Sequence, residues 1–181
     1  MDLVDGEKVS GRVVGVVVGE SAALIDTVLQ ARMFEKTLEY GLIPWLHGYR
    51  IERREIVRYG SRFDYLLSNG VDRIILELKS AVYLSSDGAA MYPDTVSKRG
   101  VRHFKILSNL KLVGENSGIV FIAGHPFATY FKPNFDIDPN LRGALCEALK
   151  INVLIKSIKM HLELDGSVIL DDVDFPVKIE C

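Results

Sequence analysis

Between residues 61 and 80 the chain reads SRFDYLLSNGVDRIILELKS, the stretch that most constrains its fold. Two β-type runs flank Asn69-Gly70, a strong hairpin signal because both residues tolerate the positive φ of a tight reversal. Ile74, Ile75 and Leu76 mark the second run as a buried strand. Glu77 and Lys79 then place two charges in it before it ends. Burying either charge is expensive unless it is paired or bound to something.

Strand alternation puts Ile75, Glu77 and Lys79 on one face and Leu76 and Leu78 on the other. With Asn69-Gly70 as a two-residue loop, Ser68 pairs with Val71, Leu66 with Arg73 and Asp64 with Ile75. Asp64 then shares the face of Glu77 and Lys79; a four-residue loop from Ser68 to Val71 gives the same pairing, and an odd-length loop would break it. Diagonal cross-strand neighbours lie roughly 7–8 Å apart, close enough for two carboxylates to share a hard cation such as Mg²⁺ or Mn²⁺. Lys79 would stand beside a metal-bound water or a scissile phosphate, an arrangement suited to metal-assisted hydrolysis. The competing reading is a structural ion pair, with Lys79 on Glu77 and Asp64 held by Arg62 or Arg73.

The rest of the chain suits one α/β (α+β) domain with a mixed β-sheet flanked by helices. Residues 10–27 read as two β segments, and VLQARMFEKTLEYGL as an amphipathic helix ended near Gly41 and Pro44. Residues 50–60 read as an edge strand, and AVYLSSDGAAMYPDT as a loop. The run VSKRGVRHFKILSNLKLVG is expected to be helical, capped by Asp94 or Thr95. SGIVFIAG and PFATYFKP read as strands, DPNLRGALCEALK as a helix opened by Asp-Pro, and INVLIKSIKMHLEL with DGSVIL as a closing hairpin.

The formal net charge is -2, but charge is unevenly placed. Lys98, Arg99, Arg102, Lys105 and Lys111 fall in a stretch without acids, whereas from Glu163 onward six acids face the single Lys178. The longest aliphatic run, residues 13–18, falls far short of a membrane span, and no secretory leader is visible. Cys146 and Cys181 are too few for a disulfide framework and lack metal-ligand spacing, so a reducing cytoplasm is expected. The four histidines form no zinc motif, and no P-loop or dinucleotide fingerprint occurs.

YGSRFDYLL, LELKSAVYL, YPDTVSKRGVRHFKIL and DPNLRGALCEALK, in that order, resemble the sugar fermentation stimulation (SfsA) family. The upstream DTVLQARMFEKTLEYGLIPWLHGY does so too. The resemblance implies a restriction-endonuclease-like, PD-(D/E)XK nuclease fold over residues 28–181, preceded by a short remnant of an OB-like part at 1–27. It also implies DNA binding, with single-stranded DNA or RNA as the alternative. Asp64, Glu77 and Lys79 fall on the D…(D/E)xK core, and Asp94 on a position that could join the metal shell. Lys98, Arg99, Arg102, His103 and Lys105 would meet the nucleic acid, and Glu35 is an additional candidate acid. Lys98 stands where the family carries an acid, and Ala31 where it carries Asn. Strand edges left by a shortened N-terminus offer a second copy of the chain a place to pair, making a homodimer the expected protein partner.

Overall fold

The computed structural model describes residues 11–181. In chain order it contains β1 (Gly15–Val18), β2 (Ser21–Leu24), α1 (Thr27–Glu39), a 3-10 turn at Pro44–Leu46, β3 (Arg50–Arg58), β4 (Ser61–Ser68) and β5 (Arg73–Ala81). There follow β6 (Tyr83–Leu84), β7 (Ala89–Tyr92), α2 (Lys98–Leu112), β8 (Asn116–Ala123), β9 (Tyr130–Pro133), α3 (Pro139–Lys150), β10 (Leu154–Glu163) and β11 (Val168–Asp172). The main sheet has eight strands in the order β1-β2-β10-β8-β5-β4-β3, with β11 paired to β10. β5, β8 and β10 run parallel, joined through α2 and α3, while the hairpin strands are antiparallel. The architecture is mixed α/β, as the sequence pattern implied.

Alternation along the central strands divides the interior in two. Ile75, Ile119 and Phe121 pack with Phe104, Leu107 and Leu145 of α2 and α3. Ile74, Leu76, Val120 and Ile122 pack with Phe34 and Leu38 of α1. Each such side chain stabilises the fold by about 1.5–3 kcal/mol when fully buried. This double coverage explains why β5 and β8 read as continuous apolar runs.

The β4–β5 hairpin keeps the expected parity but shifts its register by two residues. Ser68 pairs with Arg73 and Leu66 with Ile75, so the loop is Asn69–Asp72. The Asn69 side chain causes this, because its Oδ1 accepts hydrogen bonds from the backbone N–H groups of Val71 (2.9 Å) and Asp72 (2.7 Å). The stretch expected as a loop after Lys79 instead forms β6 and β7. These join β9 in a separate three-stranded sheet. Its strands are too short for periodicity to distinguish them from a loop.

Helix α2 is capped by Ser97, not Asp94 or Thr95: the Ser97 hydroxyl accepts the Gly100 N–H at 3.0 Å. Asp138 caps α3 and also accepts the Ser97 N–H at 2.9 Å, tying the starts of both helices together. The cysteines also depart from expectation. Cys146 on α3 is disulfide-bonded to Cys181, with Cα atoms 5.7 Å apart. Pair spacing alone could not reveal that residues 173–181 fold back, inserting Phe175 and Val177 beside β9 and α3. A paired Cys146–Cys181 is at odds with the reducing cytoplasm that two free thiols suggested. β1 and β2, anticipated as part of an OB-like remnant, extend the main sheet by pairing β2 with β10; residues 1–10 of that segment lie outside the described residues.

Candidate functional site

The site begins where β4 leaves β5. Their last ladder pair is Tyr65 with Leu76, although β4 remains paired with β3 as far as Ser61. Counting on from that pair brings Asp64 level with Glu77. Glu55, level with Asp64 on β3, has φ +51, an uncommon backbone state for a residue other than glycine. The Asp64 carboxylate fills the fork, its Oδ2 accepting the Leu78 N–H at 2.7 Å. On the α1 side it opens to a cleft of about 320 Å³ lined by Thr27, Val28, Gln30, Leu78 and Ser80.

Glu77 is 3% exposed. Its Oε1 accepts hydrogen bonds from Lys79 and from His103 Nδ1, the latter at 2.7 Å. Its Oε2 is buried and has no hydrogen-bond partner among the described residues. Burial works against the Glu77 charge, but the His103 hydrogen bond and the Lys79 ammonium together hold its pKa below the usual glutamate value. Asp64 goes the other way. Burial, then the neighbouring Glu77 charge, raises its pKa to about 6 despite the Leu78 N–H, Lys79 and His103. Lys79 is paired with Glu77, as the ion-pair reading expected; opposed shifts on two neighbouring carboxylates are a feature that functional sites and ion-pair networks share. The arginines proposed to hold Asp64 are engaged elsewhere, Arg62 with Glu55 at 3.5 Å and Arg73 with Glu52 at 2.7 Å.

The other anticipated residues separate into groups. His103 lies inside the site, 2% exposed, packed on Phe63 with ring centroids 4.9 Å apart. Arg99 Nε points at His103 Nε2 across 3.4 Å. Arg102 donates to the Gly60 carbonyl at 2.9 Å, holding α2 to the β3–β4 turn. Lys98 and Lys105 are exposed on α2. Asp94 is exposed ahead of α2 and makes no side-chain bond among the described residues. Glu35 is bound by Arg54 through two hydrogen bonds (2.9 and 2.8 Å) and by the Tyr65 hydroxyl at 3.0 Å. The Arg54 contact, against some burial, lowers the Glu35 pKa.

Sequence reasoning missed Gln30. It is buried on α1, and its Nε2 donates to the Leu24 carbonyl (2.7 Å) and Ser80 Oγ (2.9 Å) across the cleft from Asp64. A glutamine on the apolar stripe of α1, four residues before Phe34, was the available signal.

Two carboxylates could hold a divalent cation. Glu77 Oε2 is a buried, unpartnered anionic oxygen, and Asp64 uses one carboxylate oxygen on a backbone N–H. Among the described residues no three acidic, histidine or cysteine side chains assemble as a metal cage. One or two carboxylates are nevertheless the usual protein share for Mg²⁺, which keeps water and substrate phosphate as its other ligands.

A family model described as the sugar fermentation stimulation protein RE domain matches residues 28–166. The chain belongs to the SfsA family. It is 45% identical over 147 residues to a sugar fermentation stimulation protein homolog of Pyrococcus furiosus, covering 81% of this chain and 64% of that protein. A homolog from Chloroflexus aurantiacus is 32% identical over 161 residues, covering 89% and 62%. The chain thus spans a little under two thirds of the length of these relatives. Among solved structures, that of Pyrococcus furiosus SfsA in complex with Ca²⁺ superposes with a TM-score of 0.89 at 40% identity, covering 95% of this chain and 75% of the other. The restriction-endonuclease-like expectation is consistent with this match. Among the described residues no helix is long and apolar enough to cross a membrane.

Proposed function

We propose that this SfsA-family chain binds DNA and hydrolyses its phosphodiester bonds with the help of a divalent cation, Mg²⁺ or Mn²⁺. The observation that carries the reading is the orphaned Oε2 of Glu77, beside Asp64 and Lys79 at a fork in the sheet. That a family relative was solved in complex with Ca²⁺, another oxygen-seeking cation, supports a cation site of this kind. Asp64 and Glu77 would hold the ion, which when bound would polarise a phosphoryl oxygen and make a water more acidic. Lys79 supplies positive charge beside the forming phosphorane, and its bond to Glu77 keeps it there. Asp94, exposed ahead of α2, is kept as an additional acid that would join the metal shell. Lys98, Arg99, Arg102 and Lys105 offer cations for backbone phosphates, which set register without reading sequence.

A second reading, a DNA-binding regulator that keeps the fold without cleaving, is favoured by the basic run on α2, which needs no metal to hold phosphates. The test is incubation of supercoiled plasmid and single-stranded DNA with Mg²⁺ or Mn²⁺, using wild type, Asp64→Ala and Lys79→Ala. Metal-dependent nicking lost in both variants is the expected outcome. No nicking by wild type, with salt-sensitive binding retained, would leave the regulator.

A further inference from the structure

His103 falls in the basic run of α2, which suggests a phosphate contact, yet its side chain is turned inward. It is buried against Phe63, with Nδ1 at 2.7 Å from Glu77 Oε1. On its other edge, Arg99 Nε approaches Nε2 at 3.4 Å. An arginine can only donate, so where this contact is a hydrogen bond Nε2 accepts it and Nδ1 carries the hydrogen that Glu77 accepts. Arg99 is exposed, whereas Glu77 is buried. A continuous chain therefore runs from the helix surface through Arg99 and His103 to Glu77 and Lys79.

We propose that His103 is a positioning residue for Glu77. By occupying Oε1 together with Lys79, it fixes the carboxylate rotamer so that Oε2 is left facing the cation. Arg99 sets the imidazole's tautomer by donating to Nε2. Without the imidazole, Glu77 would keep only Lys79, a flexible partner that does not determine which oxygen remains free. Partners behind a ligating carboxylate typically change metal affinity by about ten- to a hundred-fold. The inference rests on the metal-site reading above for its consequence, but the hydrogen bond it names is independent of that reading.

Two measurements on the full chain test it. The first is Mn²⁺ titration by calorimetry for wild type, His103→Phe, His103→Asn and Asp64→Ala, with thermal melts to confirm folding. Phenylalanine fills the space on Phe63 but removes the donor, and should weaken Mn²⁺ binding by about ten- to a hundred-fold. Asparagine places an N–H near the Nδ1 position and should restore binding to within about three-fold of wild type. Equal affinity in wild type and His103→Phe, while Asp64→Ala abolishes binding, would overturn the positioning role.

The second is the ¹⁵N spectrum of the His103 imidazole without metal, expected to show a hydrogen on Nδ1. A bare Nδ1 would overturn the inference whatever the metal result. Mn²⁺ binding that is indifferent to Asp64→Ala, with Nδ1 protonated, would instead count against the metal site and leave the His103–Glu77 contact standing.

Discussion

Asp64 accepts the backbone N–H of Leu78 through a carboxylate oxygen at 2.7 Å, so a side chain takes the role of a ladder carbonyl where β4 and β5 part. That substitution holds the fork open and leaves a partly desolvated acid at its apex.

The raised pKa of Asp64 makes stability fall with pH. Its folded value of about 6 exceeds the ordinary 3.8, so the native state binds the proton more tightly and loses that advantage as pH rises from about 4 to about 6. Two pKa units correspond to about 3 kcal/mol, an upper bound for this incompletely buried group. Asp64→Asn keeps an acceptor for Leu78 without the charge, so it should be more stable than wild type by about 1–3 kcal/mol at pH 7. The gain should vanish near pH 4. Urea titrations of both proteins at the two pH values check this, and a pH-independent difference would refute it.

Divalent-cation affinity should follow the same ionisation in the opposite sense. Because the bound carboxylate must be charged, Mn²⁺ affinity should rise about tenfold per pH unit below about 6 and level off above it. Calorimetry across pH 5–8 reads the profile. A flat profile would remove Asp64 from the ligand set.

Lys79→Met keeps the stem that fills its half-buried position but removes the ammonium from Glu77. DNA cleavage should fall at least a hundred-fold, with metal affinity unchanged or increased, as single-turnover kinetics beside a metal titration would show. A parallel loss of both would mean that Lys79 maintains the site rather than assisting the reaction.

Reducing the Cys146–Cys181 bond releases a crosslink across a sequence separation of 35. Chain-entropy arguments give about 4 kcal/mol for a loop of that size. Cys181→Ser, or wild type in excess dithiothreitol, should therefore lose several kcal/mol in chemical denaturation. Alkylation under native, non-reducing conditions should label neither cysteine, and rapid labelling of both would contradict the pairing.

What the sequence could tell depended on how local the signal was. The parity of the hairpin was legible as far as Leu66 and Ile75 because alternation along a strand is a property of the backbone. At Asp64 alternation breaks, since Phe63 packs on the α2 side and Tyr65 on the α1 side, and Asp64 opens with Leu78 and Ser80 toward α1. The register was not legible, because it depended on which amides the Asn69 side chain would bind. The α2 helix stood out from its apolar spacing, yet the inward turn of His103 required Phe63 and Glu77 from strands some 26 to 40 positions earlier. Glu35 looked like a free acid until Arg54 and Tyr65 were brought beside it. Cys146 on an apolar helix face gave no sign that the last residue of the chain would return to it.

The ladder between β5 and β8 continues unbroken from Ile74 to Ala81, past the point at which β4 departs. Glu77 and Lys79 therefore ride on a strand moored by a full ladder along one flank and by the single Asp64–Leu78 bond along the other. Ile119 and Phe121, level with them on β8, are fully buried. Variation in the β3–β4 arm can reshape what approaches from the singly bonded flank without disturbing the two charges, whereas the laddered flank has no such latitude.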